Sequence, residues 1–294
     1  QMMDAGAPEG VLTEAHGDKT AVDAILQHPD IKAVSFVGSS DIAHYVYSQG
    51  TLHNKRVQAM GGAKNHGIVM PDADLDQVVK DLSGAAFGSA GERCMALPVV
   101  VPVGKAVADE LRERMVAEID TLKVGLSNDA DAQYGPVVSA AHRQKIADYI
   151  QIGKDEGAEL VVDGRDFKLQ GYEQGFFIGP SFFDGVKPGM KTYQEEIFGP
   201  VLAIETFDTH DLEAIAAQAN ATPYGLGASI WTRDIGRGQQ LAAQIDAGTV
   251  TVNAHGGIDF SVPFGGWKKS GWGYEFGREG IEEFTAIKAV GVEF

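Results

Sequence analysis

Short runs with strand character and longer runs with helical spacing alternate along nearly the whole chain. This alternation restricts the chain to an α/β architecture, in which strands are carried between helices. Residues 18–28 place Ala21, Val22, Ile25 and Leu26 on one helical face. Residues 31–37 (IKAVSFV) read as a strand and run into Gly38-Ser39-Ser40, after which residues 40–47 read as a helix. Two short strands, 55–60 and 67–70, lie either side of Gly61-Gly62. Pro71-Asp72-Ala73-Asp74 opens the next helix, with Asp72 or Asp74 able to cap it, and Leu75, Val78, Val79, Leu82 and Ala86 then recur at helical spacing. A strand at 97–103 precedes a helix marked by Val107, Leu111, Met115 and Ile119, and Ile146, Tyr149 and Ile150 mark another. Further strands are expected at 159–162, 175–183, 201–207, 227–231 and 248–252, with helices at 211–219 and 235–245. The softest seams are Gly61-Gly62 and Pro263-Phe264-Gly265-Gly266.

Charge and cysteine usage exclude whole classes of function. Of 294 residues, 24 are Lys or Arg and 41 are Asp or Glu, a net charge of −17. Such a chain has no broad electrostatic grip on nucleic acid and no basic patch for a membrane surface. No apolar run approaches the roughly 20 residues needed to cross a bilayer. With Cys94 as the single cysteine, neither an intrachain disulfide nor a multi-cysteine zinc site can form. A reducing compartment, the cytoplasm, is therefore expected. The opening Gln1-Met2-Met3-Asp4 has neither a basic nor an apolar leader pattern and resembles the interior of a helix, so an upstream portion is expected to be missing.

Four stretches could carry chemistry. Cys94 lies in Phe87-Gly-Ser-Ala-Gly-Glu-Arg-Cys94-Met-Ala. A lone cysteine is commonly a small buried hydrophobe. Here Gly88 and Gly91 admit a close backbone approach, and the neighbouring Arg93 is expected to favour the thiolate, so the reading leans to a nucleophile. Val34-Ser-Phe-Val-Gly38-Ser39-Ser40 points backbone N–H groups and a hydroxyl at one spot, which suits a pyrophosphate, although an ordinary serine cap explains it better in isolation. In Glu195-Glu196-Ile197-Phe198-Gly199-Pro200 a carboxylate could hold ribose hydroxyls and an aromatic could face a flat ring; a solvated acidic turn is the plainer alternative. Finally, the fifteen residues from Pro263 to Gly277 hold five aromatics and five glycines, suggesting a ligand wall, a subunit contact or a long surface turn. Histidines 53, 66, 142 and 255 show no ligand spacing, and no metal site is expected.

In order along the chain, Phe-Val-Gly38-Ser39, Gly91-Glu-Arg-Cys94, Glu196-Ile-Phe-Gly-Pro200, Thr222-Pro-Tyr-Gly-Leu226 and Pro263-Phe-Gly-Gly266 with Lys268 and Ser270-Gly271 resemble the aldehyde dehydrogenase superfamily. Val57-Gln-Ala-Met-Gly-Gly-Ala-Lys-Asn-His66 and Gly91-Glu-Arg-Cys-Met-Ala96 look most like bacterial (methyl)malonate-semialdehyde dehydrogenases, whereas the tail from Asn253 looks closer to general hydrolytic members. The resemblance implies a catalytic domain with a parallel sheet flanked by helices, and part of a Rossmann-like cofactor domain. Residues 1–62 would belong to the cofactor domain, 63–265 to the catalytic domain, and 266–294 to a tail that returns to the cofactor domain and supplies an oligomerisation strand. It also implies NAD as cofactor, with NADP left open, and a small aldehyde substrate.

By the same resemblance, the Cys94 thiolate attacks the aldehyde to give a thiohemiacetal and then a thioester. Gly38 and Ser39 would hold the pyrophosphate and Glu196 the nicotinamide ribose. Phe198 would wall the nicotinamide, and Gly61 and Gly62 would let the backbone lie close to its ring. The Cys94 N–H would be an oxyanion donor. Arg93 would either pair with a substrate carboxylate or only tune Cys94. One departure matters. The glutamate that hydrolytic members carry thirty-four residues before the cysteine is here Met60, which cannot accept a proton. Coenzyme A is therefore the expected acyl acceptor, with a hydrolytic enzyme, in which Glu275 could replace the missing base, as the alternative. A truncated, non-catalytic structural paralogue is the other alternative. The family's oxyanion-hole asparagine and its adenosine-ribose lysine fall before the first residue. The chain alone is thus expected to bind cofactor poorly and to be inactive. A homodimer or homotetramer is expected, with residues 286–294 as an edge strand.

Overall fold

A computed structural model describes residues 2–209, 211–256 and 259–294. The chain opens with helix α1 (Lys19–Gln27), started by the Asp18 carboxylate accepting from the Thr20 N–H. A β–α–β unit follows, made of β1 (Ala33–Val37), α2 (Ser40–Leu52) and β2 (Arg56–Met60), with β1 and β2 parallel from Ala33 opposite Arg56 to Val37 opposite Met60. Beyond Gly61-Gly62 come β3 (His66–Val69), α3 (Leu75–Phe87), β4 (Val99–Pro102), α4 (Lys105–Ile119) and α5 (Ala140–Asp155). Then follow β5 (Glu159–Val162), β6 (Ser181–Asp184), the short α6 (Lys191–Gln194) and β7 (Val201–Ile204). The last elements are α7 (Leu212–Asn220), β8 (Tyr224–Gly225), β9 (Gly227–Trp231), α8 (Ile235–Ala242), β10 (Thr249–Val252), β11 (Trp267–Lys268), β12 (Gly271–Trp272) and α9 (Gly277–Glu282).

Among the described residues the strands form three sheets. The largest runs β10-β9-β3-β4-β7-β6-β5, with every pair parallel except β5 with β6. Its central strands are buried along their length, as parallel strands covered by helices on both faces must be. Alternate residues of β3 serve different cores. Val69 joins Leu82, Phe87, Leu111, Ile146 and Phe183, while Ile68 joins Ile215, Ile230 and Leu241. The second sheet runs β1-β2-β12, its last strand antiparallel to β2, and has its own core of Leu26, Ala43, Val46, Val57 and Ala59. β8 and β11 make a two-stranded pair. No helix among the described residues is long and apolar enough to cross a membrane.

One local expectation changes. The strand read at 175–183 is confined to Ser181–Asp184. Its first half is held in loop geometry, because the Gly175 N–H closes a turn on Tyr172 and the Gly179 N–H bonds to Gly164. Asp74 rather than Asp72 caps α3. Asp72 instead fastens the turn after β9, accepting from the Thr232 hydroxyl and from the N–H groups of Arg233 and Asp234. Residues 285–294 pair with no strand among the described residues and expose Ile287, Val290, Val292 and Phe294.

Candidate active site

The nucleophile candidate is positioned by a left-handed kink. After α3 the chain takes positive φ at Ser89, Ala90 and Gly91 in succession (52°, 54° and 69°). Only glycine fits at the last, where a Cβ would lie 2.1 Å from the Gly199 carbonyl oxygen. This contact brings the Cys94 loop against the 195–200 turn. A turn closed by the Ala96 N–H on the Arg93 carbonyl then presents Cys94, and the Leu97 N–H on Ala85 leads into β4. Cys94 is exposed.

The acidic turn meets it from the other side. Glu196 is half-buried, and its Oε1 accepts from the Ala63 N–H at 2.9 Å. Burial pushes its carboxyl above the usual range, against the opposing pull of that N–H and of Lys145, Lys64 and His142. Phe198 is partly exposed at φ +59°, and its carbonyl lies 2.6 Å from His142 Nε2, which is also 3.3 Å from Glu92 of the nucleophile loop. Glu195 turns away, with its carboxylate bonded to the Tyr149 hydroxyl and its carbonyl accepting from Lys64 Nζ. Lys64 is buried, and burial brings its amine down to about 7 despite the charges of Glu196 and Glu195.

Gly61 and Gly62 are close-approach points, but to protein groups. A Cβ on Gly62 would lie 2.5 Å from Glu196 Oε2, and one on Gly61 2.4 Å from the Lys269 carbonyl. Ser39 begins α2 with no side-chain capping bond, and Gly38 precedes it with its N–H on Met60. Ser40, to which the sequence reading gave no role, ties this corner together. Its hydroxyl donates to the Lys269 carbonyl at 2.6 Å and accepts from the Gly62 N–H at 3.0 Å. Met60 is buried at the end of β2, and the preceding Ala59 likewise offers no proton acceptor.

The expectation that Arg93 lowers the Cys94 pKa is wrong. The guanidinium points away, with Nε on the Ser89 hydroxyl and NH1 toward the Gly84 carbonyl, and it occupies the space a Gly88 side chain would need. The thiol is pushed up. Partial burial is the main cause, Glu275 and Glu196 add to it by charge, and the N–H groups of Met95 and Cys94 oppose it. Adjacency in sequence did not become proximity of charge. Glu275 is held by paired backbone bonds to Phe264, so its backbone is structural while its carboxylate acts on Cys94.

Cys94 and Arg93 line two clefts at once. One is bounded by Ala63, Glu196, Ile197 and Phe198. The other, of about 710 Å³, is bounded by Lys80, Asp81, Met95 and His255. Two more residues act here without having been singled out. Asn65 Nδ2 donates to the carbonyls of Cys94 (2.9 Å) and Ala96 (2.8 Å), and His255 Nε2 lies 2.6 Å from the Met95 carbonyl. Asn65 was visible only as part of the Gly-Gly-Ala-Lys-Asn-His run, and His255 only as one of several scattered histidines.

A model of the aldehyde dehydrogenase family matches residues 1–290. The chain belongs to that family. Within it, the chain is 48% identical to a malonate-semialdehyde dehydrogenase of Pseudomonas aeruginosa over 294 residues, covering 98% of this chain and 58% of the relative. It is equally similar, at 48% over 291 residues, to malonate-semialdehyde dehydrogenase 1 of Geobacillus thermodenitrificans, covering 97% of this chain and 59% of that one. Among solved aldehyde dehydrogenases, one described as a methylmalonate-semialdehyde dehydrogenase from Sinorhizobium meliloti, complexed with NAD, superposes with a TM-score of 0.94. It is 48% identical, covering 97% of this chain and 58% of that chain. Betaine aldehyde dehydrogenase of Staphylococcus aureus with NAD superposes at 0.91 and 30% identity, covering 96% of this chain and 56% of that one. The chain thus spans about three fifths of the length of the relatives it matches.

Proposed function

We propose that the protein carrying this chain oxidises malonate or methylmalonate semialdehyde with NAD and transfers the acyl group to coenzyme A. The observation that carries the reading is the exposed Cys94 sulfur at the junction of two clefts, one edged by Glu196 and Phe198 and the other open toward His255. Residues on the first side fit the dinucleotide. The start of the thirteen-residue α2, with the Ser39 hydroxyl unused by the cap, suits a pyrophosphate. The half-buried Glu196 carboxylate suits ribose hydroxyls, and the Phe198 ring suits the flat face of the nicotinamide. When bound, NAD supplies the hydride acceptor.

The chain's own groups do the rest. The Cys94 thiolate adds to the aldehyde carbon, and the Cys94 N–H meets the oxygen that becomes negative. Loss of hydride leaves a thioester on Cys94. With Met60 and Ala59 both unable to take a proton, an external thiol is the better acceptor for that acyl group than water. Arg93, anchored through Ser89 and Gly84 at the mouth of both clefts, is assigned to the substrate carboxylate. Measuring NADH formation with and without coenzyme A tests this. Turnover that depends on coenzyme A is expected, and full turnover without it would retire the acylating reading.

One observation favours a hydrolytic enzyme instead: the Glu275 carboxylate acts on Cys94 by its charge, and a carboxylate there could take a proton from water. Turnover without coenzyme A that vanishes in Glu275→Gln would establish that alternative. We further assign residues 1–62 to the cofactor domain, 63–265 to the catalytic domain and 266–294 to a returning tail, supported by β12 pairing with β2. Association into a homodimer or homotetramer is supported by the apolar residues that 285–294 leaves exposed. A cytoplasmic location is supported by the need to keep the single thiol reduced.

A further inference from the structure

Three consecutive carbonyls around the nucleophile are each held by a side chain from elsewhere in the fold. Asn65, just before β3, donates from Nδ2 to the carbonyls of Cys94 and Ala96, and its Oδ1 accepts from the Gly227 N–H at 2.9 Å. Its amide thus makes three bonds to two other segments. His255, after β10, takes the carbonyl between them, that of Met95, at 2.6 Å. A carbonyl only accepts, so Nε2 must carry the proton. Nδ1 then faces the Ser229 hydroxyl, 2.8 Å away, as an acceptor. Gly227 also leaves room for the Met95 side chain, because a Cβ there would lie 2.6 Å from Met95 Cε.

The consequence follows from the planar trans peptide, in which C=O and N–H of one unit point in opposite directions. Holding the Cys94 carbonyl fixes the Met95 N–H, and holding the Met95 carbonyl fixes the Ala96 N–H, which closes the turn on Arg93 at 3.0 Å. Holding the Ala96 carbonyl fixes the Leu97 N–H on Ala85. The N–H groups of Cys94 and Met95 favour the ionised form of the Cys94 sulfur. They are the nearest counterweight to the charged groups around the sulfur: Glu196 from the 195–200 turn and Glu275 from the tail both oppose ionisation, and the Arg93 guanidinium is turned aside.

We infer that Asn65 and His255 are positioning residues for the nucleophile: by pinning the carbonyls of residues 94–96 they aim the Met95 N–H at the sulfur directly and the Cys94 N–H through the Ala96 N–H that holds the Arg93 carbonyl. The inference rests on the reading of Cys94 as nucleophile. It predicts a property of the thiol itself, visible without cofactor, aldehyde or turnover.

The test is the pH dependence of Cys94 alkylation by iodoacetamide in the 294-residue chain, beside its thermal midpoint. In Asn65→Ala the midpoint of the rate profile should rise by about one pH unit, making alkylation at pH 7 about tenfold slower, because hydrogen bonds to the charged form are lost. His255→Leu should shift it in the same direction, while His255→Gln, which keeps an N–H donor for the Met95 carbonyl, should restore most of the wild-type profile. If Asn65→Ala fails to fold, the His255 pair decides. Profiles of folded Asn65→Ala or His255→Leu that superimpose on wild type, or a His255→Gln profile no better than that of His255→Leu, would overturn the inference. A protein whose thiol behaves as stated but which makes no NADH would leave the inference standing and sink the proposed activity instead.

Discussion

Gly62→Ala tests the cofactor role proposed for Glu196. The new Cβ would lie 2.5 Å from Glu196 Oε2 and 3.0 Å from its Cδ. Ordinary contact begins near 3.5 Å, so the carboxylate must retreat by about 1 Å. It sits at the end of a flexible side chain, and Gly62 does not use a left-handed φ, so the backbone need not move and the fold loses only that side chain's own bond. What the retreat breaks is the 2.9 Å bond from the Ala63 N–H, which aims the carboxylate. A hydrogen bond to a charged group contributes about 1.5–3 kcal/mol, which corresponds to NAD binding weakened roughly 10- to 150-fold if the carboxylate's aim is what holds the ribose. Calorimetric titration of NAD into the protein carrying this chain measures that loss. Gly61→Ala is the internal control. Its Cβ would meet the Lys269 carbonyl at 2.4 Å and Ser40 Oγ at 2.8 Å, and backbone cannot swing aside, so that variant should lose about 1–3 kcal/mol of stability. A folded Gly62→Ala protein that binds NAD within twofold of wild type would refute the assignment of Glu196.

Arg93→Met should raise KM about 10- to 100-fold for a semialdehyde bearing a carboxylate and leave an uncharged aldehyde nearly unaffected; the Cys94 alkylation midpoint should not move, because the guanidinium points to Ser89 and Gly84. Glu275→Gln removes a charge that opposes ionisation, so the Cys94 midpoint should fall and alkylation at neutral pH should quicken; a slower reaction would contradict the charge argument. Asp72→Ala should cost about 2–3 kcal/mol in urea unfolding at pH 7, since it orphans the Thr232 hydroxyl and two N–H groups. Burial raises the Asp72 carboxyl, but those donors outweigh it and hold its folded pKa below the usual value. Its stabilisation is therefore complete above the ordinary carboxylate range and is lost as pH falls through the folded pKa, and the wild-type advantage should shrink below about pH 4.

The sequence made the fold legible where a local pattern and the tertiary environment demand the same thing. The alternating runs around Ile68, Val100, Leu111 and Ile230 were read correctly because buried parallel strands and amphipathic helices leave that signature. The 175–183 run misled because Phe176, Phe177 and Ile178 are apolar for loop packing, with their backbone bonded to other loops. At the site, residues contributing a distinctive side chain in a distinctive run were legible: Cys94, Glu196, Phe198 and the paired glycines all fall at one corner. What stayed hidden depends on direction. Nothing in the string Gly-Glu-Arg-Cys says that the guanidinium turns back over Gly88. Nor can a lone histidine 161 residues beyond Cys94 be known to hold the next carbonyl.

That directional information changes how the proposed nucleophile would work. A cysteine beside an arginine suggested a thiolate held ready by a neighbouring cation. The site shows a thiol discouraged from ionising by burial and two carboxylates, with backbone N–H groups as its counterweight. At neutral pH such a sulfur is mostly protonated, and an exposed thiol in that state resists oxidation, which proceeds through the thiolate. Changes at the carboxylates would then raise its reactivity. Donors placed on Glu196 would weaken its push on the sulfur. If so, occupying the Glu196 side of the cleft with NAD should lower the Cys94 alkylation midpoint, and Glu196→Gln should abolish most of that response while leaving the Glu275 contribution in place. A midpoint indifferent to NAD in a protein that binds it would mean that the two clefts meet at Cys94 without communicating through its charge.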